Sequence, residues 1–341
     1  MSRISVHRGV AAAVSAAALV LVAACGSGGS SSSDGTLKVA AVIKGLDNPF
    51  FQSMEQGIKD QAQTSGTEVT VQAANSITDT TGQADKLTGL AGQDYSCYIV
   101  NPISGTNLIQ GMAQLAAQKK TIVNIDSPVD AAAAKAANAT PATYIGTNNV
   151  SAGEQGGRQM LTLLPGGGKV AAIGGIAGDV TSGQRIEGFG KAITGKLDLV
   201  QTVAANWERQ EALTQATNIM RAQPDLKGFF VANDDMGLGV ARAVATAGKA
   251  GQIKVISVDG IKDALTAVKN GELDATVAQY PYAIGAMGME ACQAAAKGAT
   301  LPATVEAPVE VVTKANADQA LAATPKPFGT YDDPFKTLSG S

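Results

Sequence analysis

From Leu37 onward, short runs of β-branched and other apolar residues alternate with longer stretches whose apolar positions recur at helical spacing. That alternation predicts parallel sheets covered by helices, because each parallel strand pair needs a crossover, and the crossover is normally helical. Lys38 to Ile43, Val69 to Gln72, Cys97 to Val100 and Thr121 to Ile125 read as strands of a first lobe. Between the first two, Phe51, Met54, Ile58 and Ala62 share one helical stripe. After the alanine-rich passage 131–140 the alternation restarts, with strands near Tyr144 to Gly146, Val170 to Ile173, Val200 to Ala204, Gly228 to Val231, Val255 to Val258 and Thr276 to Ala278. The helix from Arg209 carries Leu213, Ala216 and Met220 on one stripe and is stopped by Pro224. A second α/β lobe is expected.

The first 24 residues fit neither lobe. Arg3 and Arg8 precede an apolar run from Val10 to Ala24 that is too short to span a bilayer. Val22-Ala23-Ala24-Cys25 has the form of a lipobox, so residues 1–24 are expected to be a lipoprotein signal and Cys25 the lipidated residue. Residues 25–36 read as a lipid-anchored linker, since Gly26 to Gly35 is a glycine-serine tether with an end-to-end distance of about 17 Å. No later stretch is apolar enough to cross a membrane, so the expected location is extracytoplasmic, on the outer face of the cell membrane or in a periplasm.

Composition removes several function classes. The net charge of −3 becomes more negative once Arg3 and Arg8 leave, which argues against nucleic acid as a partner. The single histidine, His7, lies in the signal, leaving no histidine for nucleophilic catalysis or a zinc site. Cys97 and Cys292 are too few for a zinc centre; one bridge between them and two small buried hydrophobes are both open readings. No phosphate-binding glycine motif is present, and Gly166-Gly167-Gly168-Lys169 precedes a strand, as a turn does. No cofactor or metal is expected.

In open parallel sheets ligands bind beyond the carboxyl ends of the strands. Asp126, Asn233, Asp259 and Gln279 each follow a strand directly. Any one could be a helix cap, but four hydroxyl-gripping groups together point to a site. Phe50 and Phe51 follow the first strand, Trp207 is the only tryptophan, and Arg185 is placed in a glycine-flanked loop after Gly174-Gly175. Carboxylates, amides and a guanidinium grip hydroxyl groups, while aromatic faces cover the C–H side of a sugar ring. Phe51 also falls on the apolar stripe of its helix, so a core role competes for it.

Those residues, in that order, resemble the ribose/allose-type periplasmic sugar-binding proteins of bacterial ABC importers, over about Leu37 to Thr313. The segments that carry the resemblance are Asp47-Asn48-Pro49-Phe50-Phe51, Ile125-Asp126, Gly175-Ile176-Ala177-Gly178 with Arg185 and Glu187-Gly188-Phe189, Asn233-Asp234-Asp235-Met236, Val258-Asp259-Gly260 and Ala278-Gln279. The resemblance implies two Rossmann-like lobes with parallel sheets and a three-stranded hinge, the type I periplasmic binding protein fold. Residues 37–146 and 280–308 would form the N-terminal lobe, 147–279 and 309–315 the C-terminal lobe, and 316–341 a tail. It further implies that Asn48, Phe50, Phe51 and Asp126 meet the ligand from the first lobe, and Arg185, Trp207, Asn233, Asp259 and Gln279 from the second lobe or the hinge.

Two departures bear on the ligand. Ser127 stands where ribose-type members carry an arginine, and Lys44 resembles the lysine that allose-type members use on their sugar, a point donor in place of a fork. Both argue against ribose without naming its replacement. The expected function is capture of a monosaccharide or polyol and its delivery to an ABC permease by a monomeric, non-enzymatic protein. The alternatives are a chemotaxis or quorum-signal receptor using the same cleft and, less favoured, a sugar-processing enzyme using Asp126 and Asp259 as paired carboxylates.

Overall fold

The computed structural model describes residues 37–340, so the expected signal, the lipid-bearing Cys25 and the tether lie outside the described residues. The chain builds two α/β lobes. The first contains β1 (Lys38–Ile43), α1 (Pro49–Ser65), β2 (Glu68–Ala73), α2 (Thr80–Ala91), β3 (Cys97–Val100), α3 (Ile109–Ala117), β4 (Thr121–Ile125), α4 (Ala131–Ala136) and β5 (Thr143–Thr147). The second follows with α5 (Asn149–Leu163), β6 (Lys169–Gly174), α6 (Val180–Ile193), β7 (Asp198–Ala204), α7 (Arg209–Ala222), β8 (Leu226–Val231), α8 (Asp234–Thr246), β9 (Lys254–Asp259), α9 (Lys262–Asn270) and β10 (Ala275–Ala278). The chain then runs through α10 (Pro281–Ala296), β11 (Thr304–Ala307), β12 (Glu310–Thr313), α11 (Ala317–Ala323) and α12 (Pro334–Ser339).

Each sheet has six strands, in the orders β11-β5-β4-β3-β1-β2 and β12-β10-β9-β8-β6-β7. The chain therefore passes between sheets three times: after β5, after β10 and between β11 and β12. Pairing is parallel throughout except for β12, which runs antiparallel to β10. Val39 to Ile43 in β1 and Val170 to Ile173 in β6 are fully buried, as strands covered by helices on both faces must be. The two closing strands escape the alternation because they are four residues each and half polar, Thr-Val-Glu-Ala and Glu-Val-Val-Thr. The segment after β12, expected only as a tail, carries two helices. One, α11, packs on α9, and α12 packs on α10 through the fully buried Phe335.

Two helix contacts decide where site residues stand. A Cβ on Gly153 of α5 would lie 2.0 Å from the Arg185 carbonyl oxygen, and one on Gly188 of α6 would lie 2.0 Å from the Val150 carbonyl oxygen. The two helices thus meet backbone to backbone, and only glycine permits the approach. Arg185 is accordingly not in a loop, as its flanking glycines suggest. Asp179 caps α6 by accepting from Ser182 N, the helix starts at Val180, and Arg185 lies on its buried face. Of the two open readings for Cys97 and Cys292, the bridge is the one formed: a disulfide ties β3 to α10, across 195 residues of sequence.

Candidate functional site

Between the lobes lies a cavity of about 50 Å³ whose walls come from the loops beyond the strands and from the first turns of α1 and α6. The first lobe supplies Lys44, Asn48, Phe50, Phe51, Asp126 and Ser127, and the second supplies Arg185, Trp207, Asn233 and Asp259. Gln279 does not line it. That residue stands behind Asp259, its Nε2 donating to Asp259 Oδ1 at 2.7 Å.

Both strand-end asparagines are helix caps and cavity residues at once. Asn48 Oδ1 accepts from Phe50 N at 2.9 Å, and Asn233 Oδ1 accepts from Met236 N at 2.9 Å. Capping fixes which end of each amide is committed to the backbone and leaves the Nδ2 group as the donor. Phe51 likewise belongs to both the core of the first lobe and the cavity wall, its ring edge-on to Phe50 with centroids 5.2 Å apart.

The two carboxylates sit on strained backbone at strand ends, Asp126 at φ 59° and Asp259 at φ 136°. Surrounding hydrogen bonds over-determine both positions. Asp126 N donates to Ile145 O at 2.7 Å, Tyr144 Oη donates to Asp126 O at 2.7 Å, and Ser127 Oγ donates to Asp126 Oδ2 at 3.2 Å. Lys44 Nζ in turn donates to Ser127 Oγ at 2.7 Å and lies 5.5 Å from the Phe51 ring centre.

On the opposite wall Arg185 is 4% exposed and holds a dense set of partners. Its Nε donates to Asn149 Oδ1 at 2.9 Å, and one Nη donates to Ala232 O at 2.7 Å and to Asp259 Oδ1 at 3.3 Å. These contacts use three of the five guanidinium N–H donors, leaving two uncommitted. The loop after Asp259 is pinned from below by the fully buried Asp234, which accepts from Ile261 N at 2.9 Å, Thr276 Oγ1 at 2.7 Å and Ser257 Oγ. Trp207, at φ 65°, closes the wall. Its indole packs so near Gly175 that a Cβ there would fall 2.1 Å from the ring, and it lies 5.9 Å from the Arg185 guanidinium.

Loss of water around Asp126 raises its carboxyl above the ordinary range, with the charges of Lys44 and Arg185 opposing. Burial pushes Asp259 up as well, Arg185 and the Gln279 amide opposing, and it pushes Asp234 to about 6 against its hydroxyl donors. The sequence shows no device for raising either cavity carboxyl; burial supplies one for both. A hydroxyl-rich ligand provides what these groups lack, donors to the carboxylates and acceptors for the amides and cations.

Ile77, Ile103, Ile176 and Thr181 also line the cavity. The first two follow β2 and β3 and so obey the strand-end rule, but a search for hydroxyl-gripping groups passes over isoleucine. Asn149 and Asp234 hold Arg185 and the Asp259 loop from outside the cavity, and sequence alone gives no signal for that task.

The chain is similar to known proteins in sequence and in fold. A family model described as a periplasmic binding protein domain matches residues 39–300. The D-allose-binding periplasmic protein of Escherichia coli is 36% identical over 254 residues, 74% of this chain and 82% of that protein. The ribose import binding protein RbsB of Bacillus subtilis is 30% identical, over 80% of this chain and 86% of its own length. Among solved structures, an ABC transporter solute-binding protein from Actinobacillus succinogenes with bound D-allose superposes with a TM-score of 0.79 at 29% identity, covering 83% of this chain and 99% of that one. One from Agrobacterium vitis with bound D-fucose gives 0.76 at 27%, over 82% and 97%. Matched over most of its length in fold and in sequence, the chain belongs to the periplasmic binding protein domain family.

Proposed function

We propose that this protein is the solute-binding component of an ABC importer and that it takes one neutral monosaccharide or polyol into the cavity between its lobes. The observation that carries the reading is a small cavity in which both lobes place hydroxyl-binding groups: Asp126, Asn48 and Lys44 on one side, Asp259, Arg185 and Asn233 on the other. A ligand bridging the two sides stabilises the closed arrangement, and the closed shape is the one offered to the permease. Hydrogen bonds to charged groups contribute about 1.5 to 3 kcal/mol each, so three supply much of the roughly 8 kcal/mol of a micromolar affinity.

The relatives are transport binding proteins and not enzymes, which favours binding over hydrolysis by Asp126 and Asp259. Relatives with D-allose and ribose in their names, and structures holding D-allose, D-fucose and glycerol, define the first ligands to try. Family membership supports an extracytoplasmic location, and among the described residues no helix is long and apolar enough to cross a membrane. We infer that Cys25 carries a lipid that tethers a monomeric clamp near its permease. Titration calorimetry with these sugars and polyols tests the central claim: one should bind with one-to-one stoichiometry and be recovered unchanged, and failure of the whole set at millimolar concentration would refute it. Metabolic labelling with a fatty acid, lost on Cys25→Ser, tests the anchor.

A further inference from the structure

Beyond β12 the chain crosses between the lobes once more. Asn316 Oδ1 accepts from Thr313 N at 2.8 Å and leads into α11, which packs on α9 of the second lobe with Ala317 and Ala320 buried and with Lys269 paired to Asp318 at 2.7 Å. The segment 324–333 then passes to the first lobe, where α12 packs on α10 through Phe335 and Lys297 Nζ donates to Ser339 O. This is a fourth passage, in addition to the three that join the sheets.

The passage is packed along its length. Phe328 stands edge-on to Tyr280, with ring centres 6.1 Å apart, and the Phe328 backbone meets the Tyr280 hydroxyl. Lys326 Nζ lies 5.7 Å from the ring centre of Tyr282 on α10. Gly329 approaches β12 so closely that a Cβ there would lie 3.2 Å from the Glu310 carboxylate oxygen. Phe328 and Tyr331 both rest against the main apolar core. Tyr280 belongs to the second crossing and Glu310 opens the strand after the third, so the segment lies on two of the three crossings about which the lobes would turn. A free linker would leave the lobes nearly independent, whereas one packed on the crossings must shift or lose contacts when they turn.

We propose that residues 324–333 form a strap that restrains opening of the cleft and biases the ligand-free protein toward the closed arrangement. Its contacts with Tyr280, Tyr282 and Glu310 are made while both lobes line one cavity, so opening gives some of them up. A ligand that needs closure then has less to supply, because the fraction already closed is larger. The effect on affinity rests on the clamp reading above; the restraint itself does not.

Small-angle X-ray scattering of the ligand-free protein, together with titration calorimetry using the sugars named above, tests the strap in two variants. Phe328→Ala removes its hold on Tyr280. A Gly-Ser-Gly-Ser insertion after Gly329 slackens it while leaving α11 and α12 docked, and serves should Phe328→Ala fold poorly. Neither change touches a residue of the sugar cavity. With circular dichroism unchanged, both variants should show a larger radius of gyration than wild type without ligand and the wild-type value with it. Sugar affinity should be at least about fivefold weaker, with the same order of preference among sugars. Wild-type scattering from the ligand-free insertion variant overturns the proposal, even where affinity falls, since the segment would then act on the site and not on the opening. If no sugar binds the wild-type protein, the clamp reading fails, and ligand-free scattering still decides the strap.

Discussion

Lys44 Nζ donates to Ser127 Oγ at 2.7 Å, and Ser127 Oγ donates to Asp126 Oδ2 at 3.2 Å. The two positions where this chain departs from ribose-type members are therefore in contact. A lysine on the loop after β1 and a serine after β4 together hold the carboxylate of the first lobe. An ammonium is a point donor without the planar fork of a guanidinium, so this arrangement orients fewer ligand hydroxyls but leaves more room beside Asp126.

Because Lys44 acts on Asp126 through Ser127, their truncations should not add. Lys44→Ala is expected to weaken sugar binding by about 1.5 to 3 kcal/mol, as loss of a charged hydrogen bond does. The double variant with Ser127→Ala should lose little more. Calorimetry on the two singles and the double measures the coupling; strictly additive losses would show that the residues reach the ligand independently.

Gln279 is expected to act through Asp259 and not on the ligand. Gln279→Leu removes a 2.7 Å hydrogen bond that favours the charged carboxylate, so the Asp259 carboxyl should rise further. The variant should bind all accepted sugars about tenfold more weakly without changing their order of preference. Its affinity should also fall more steeply than that of wild type as pH drops from 9 to 6. A changed order of preference would place Gln279 against the ligand after all.

How far the sequence reaches follows from the kind of signal each feature leaves. Strands such as Val39 to Ile43 and Val170 to Ile173 are legible because full burial forces continuous apolar runs, and a polar residue that ends such a run, as Lys44, Asp126 and Asn233 do, marks the mouth of the cleft. Ten of the eleven residues expected at the ligand line the cavity. Arg185 is legible as a residue and not as a position, since its helix begins at a cap, Asp179, that looks like loop sequence. The tasks of Asn149 and Asp234 leave no local signal, although Asp234 falls in one of the segments that carry the resemblance, because they depend on partners 36 and 27 residues away. The disulfide is of the same kind: no local pattern distinguishes two bonded buried cysteines from two unbonded ones.

The close contact of α5 and α6 predicts opposite outcomes for two glycines. Gly153→Ala must push against the Arg185 carbonyl oxygen, at about 1 to 3 kcal/mol of stability, as overpacking typically costs. It should also weaken sugar binding by shifting the helix that carries Arg185. Gly183, on the exposed side of α6, has open space within 4 Å of where a methyl group would stand. Gly183→Ala should therefore stabilise the protein by about 0.5 to 1 kcal/mol and leave binding unchanged. Urea denaturation and calorimetry on both variants check the pair, and equal effects would show that α5 and α6 do not touch as described.

Reduction of Cys97–Cys292 should lower stability substantially. The bridge closes a loop of 195 residues, for which loop-closure entropy gives about 5 kcal/mol. It joins β3 to α10 inside the first lobe, away from the cavity walls. Dithiothreitol, or Cys97→Ser with Cys292→Ser, should thus lower the melting temperature by several degrees while sugar affinity at 25 °C stays within about twofold. An unchanged melting temperature would mean that the bridge contributes nothing to the folded state.

The docking of α12 on α10 carries its own pH dependence. Glu290 on α10 is 2% exposed and faces Asp333, which caps α12. Burial first, then the Asp333 hydrogen bond and charge, push the Glu290 carboxyl up to about 8, while Lys336 opposes and Tyr331 is itself raised by the same surroundings. In the unfolded chain Glu290 titrates near 4.5, so the folded protein holds a proton that the unfolded chain releases. Stability from this contact is complete below that value and is lost as pH rises towards 8. Glu290→Gln keeps the neutral form at every pH. It should match wild type in urea denaturation at pH 5, exceed it at pH 8.5, and leave sugar affinity unchanged throughout. Parallel stability profiles for the two proteins would show that Glu290 is ionised when folded, and that α12 is held to α10 by Phe335 and its apolar neighbours alone.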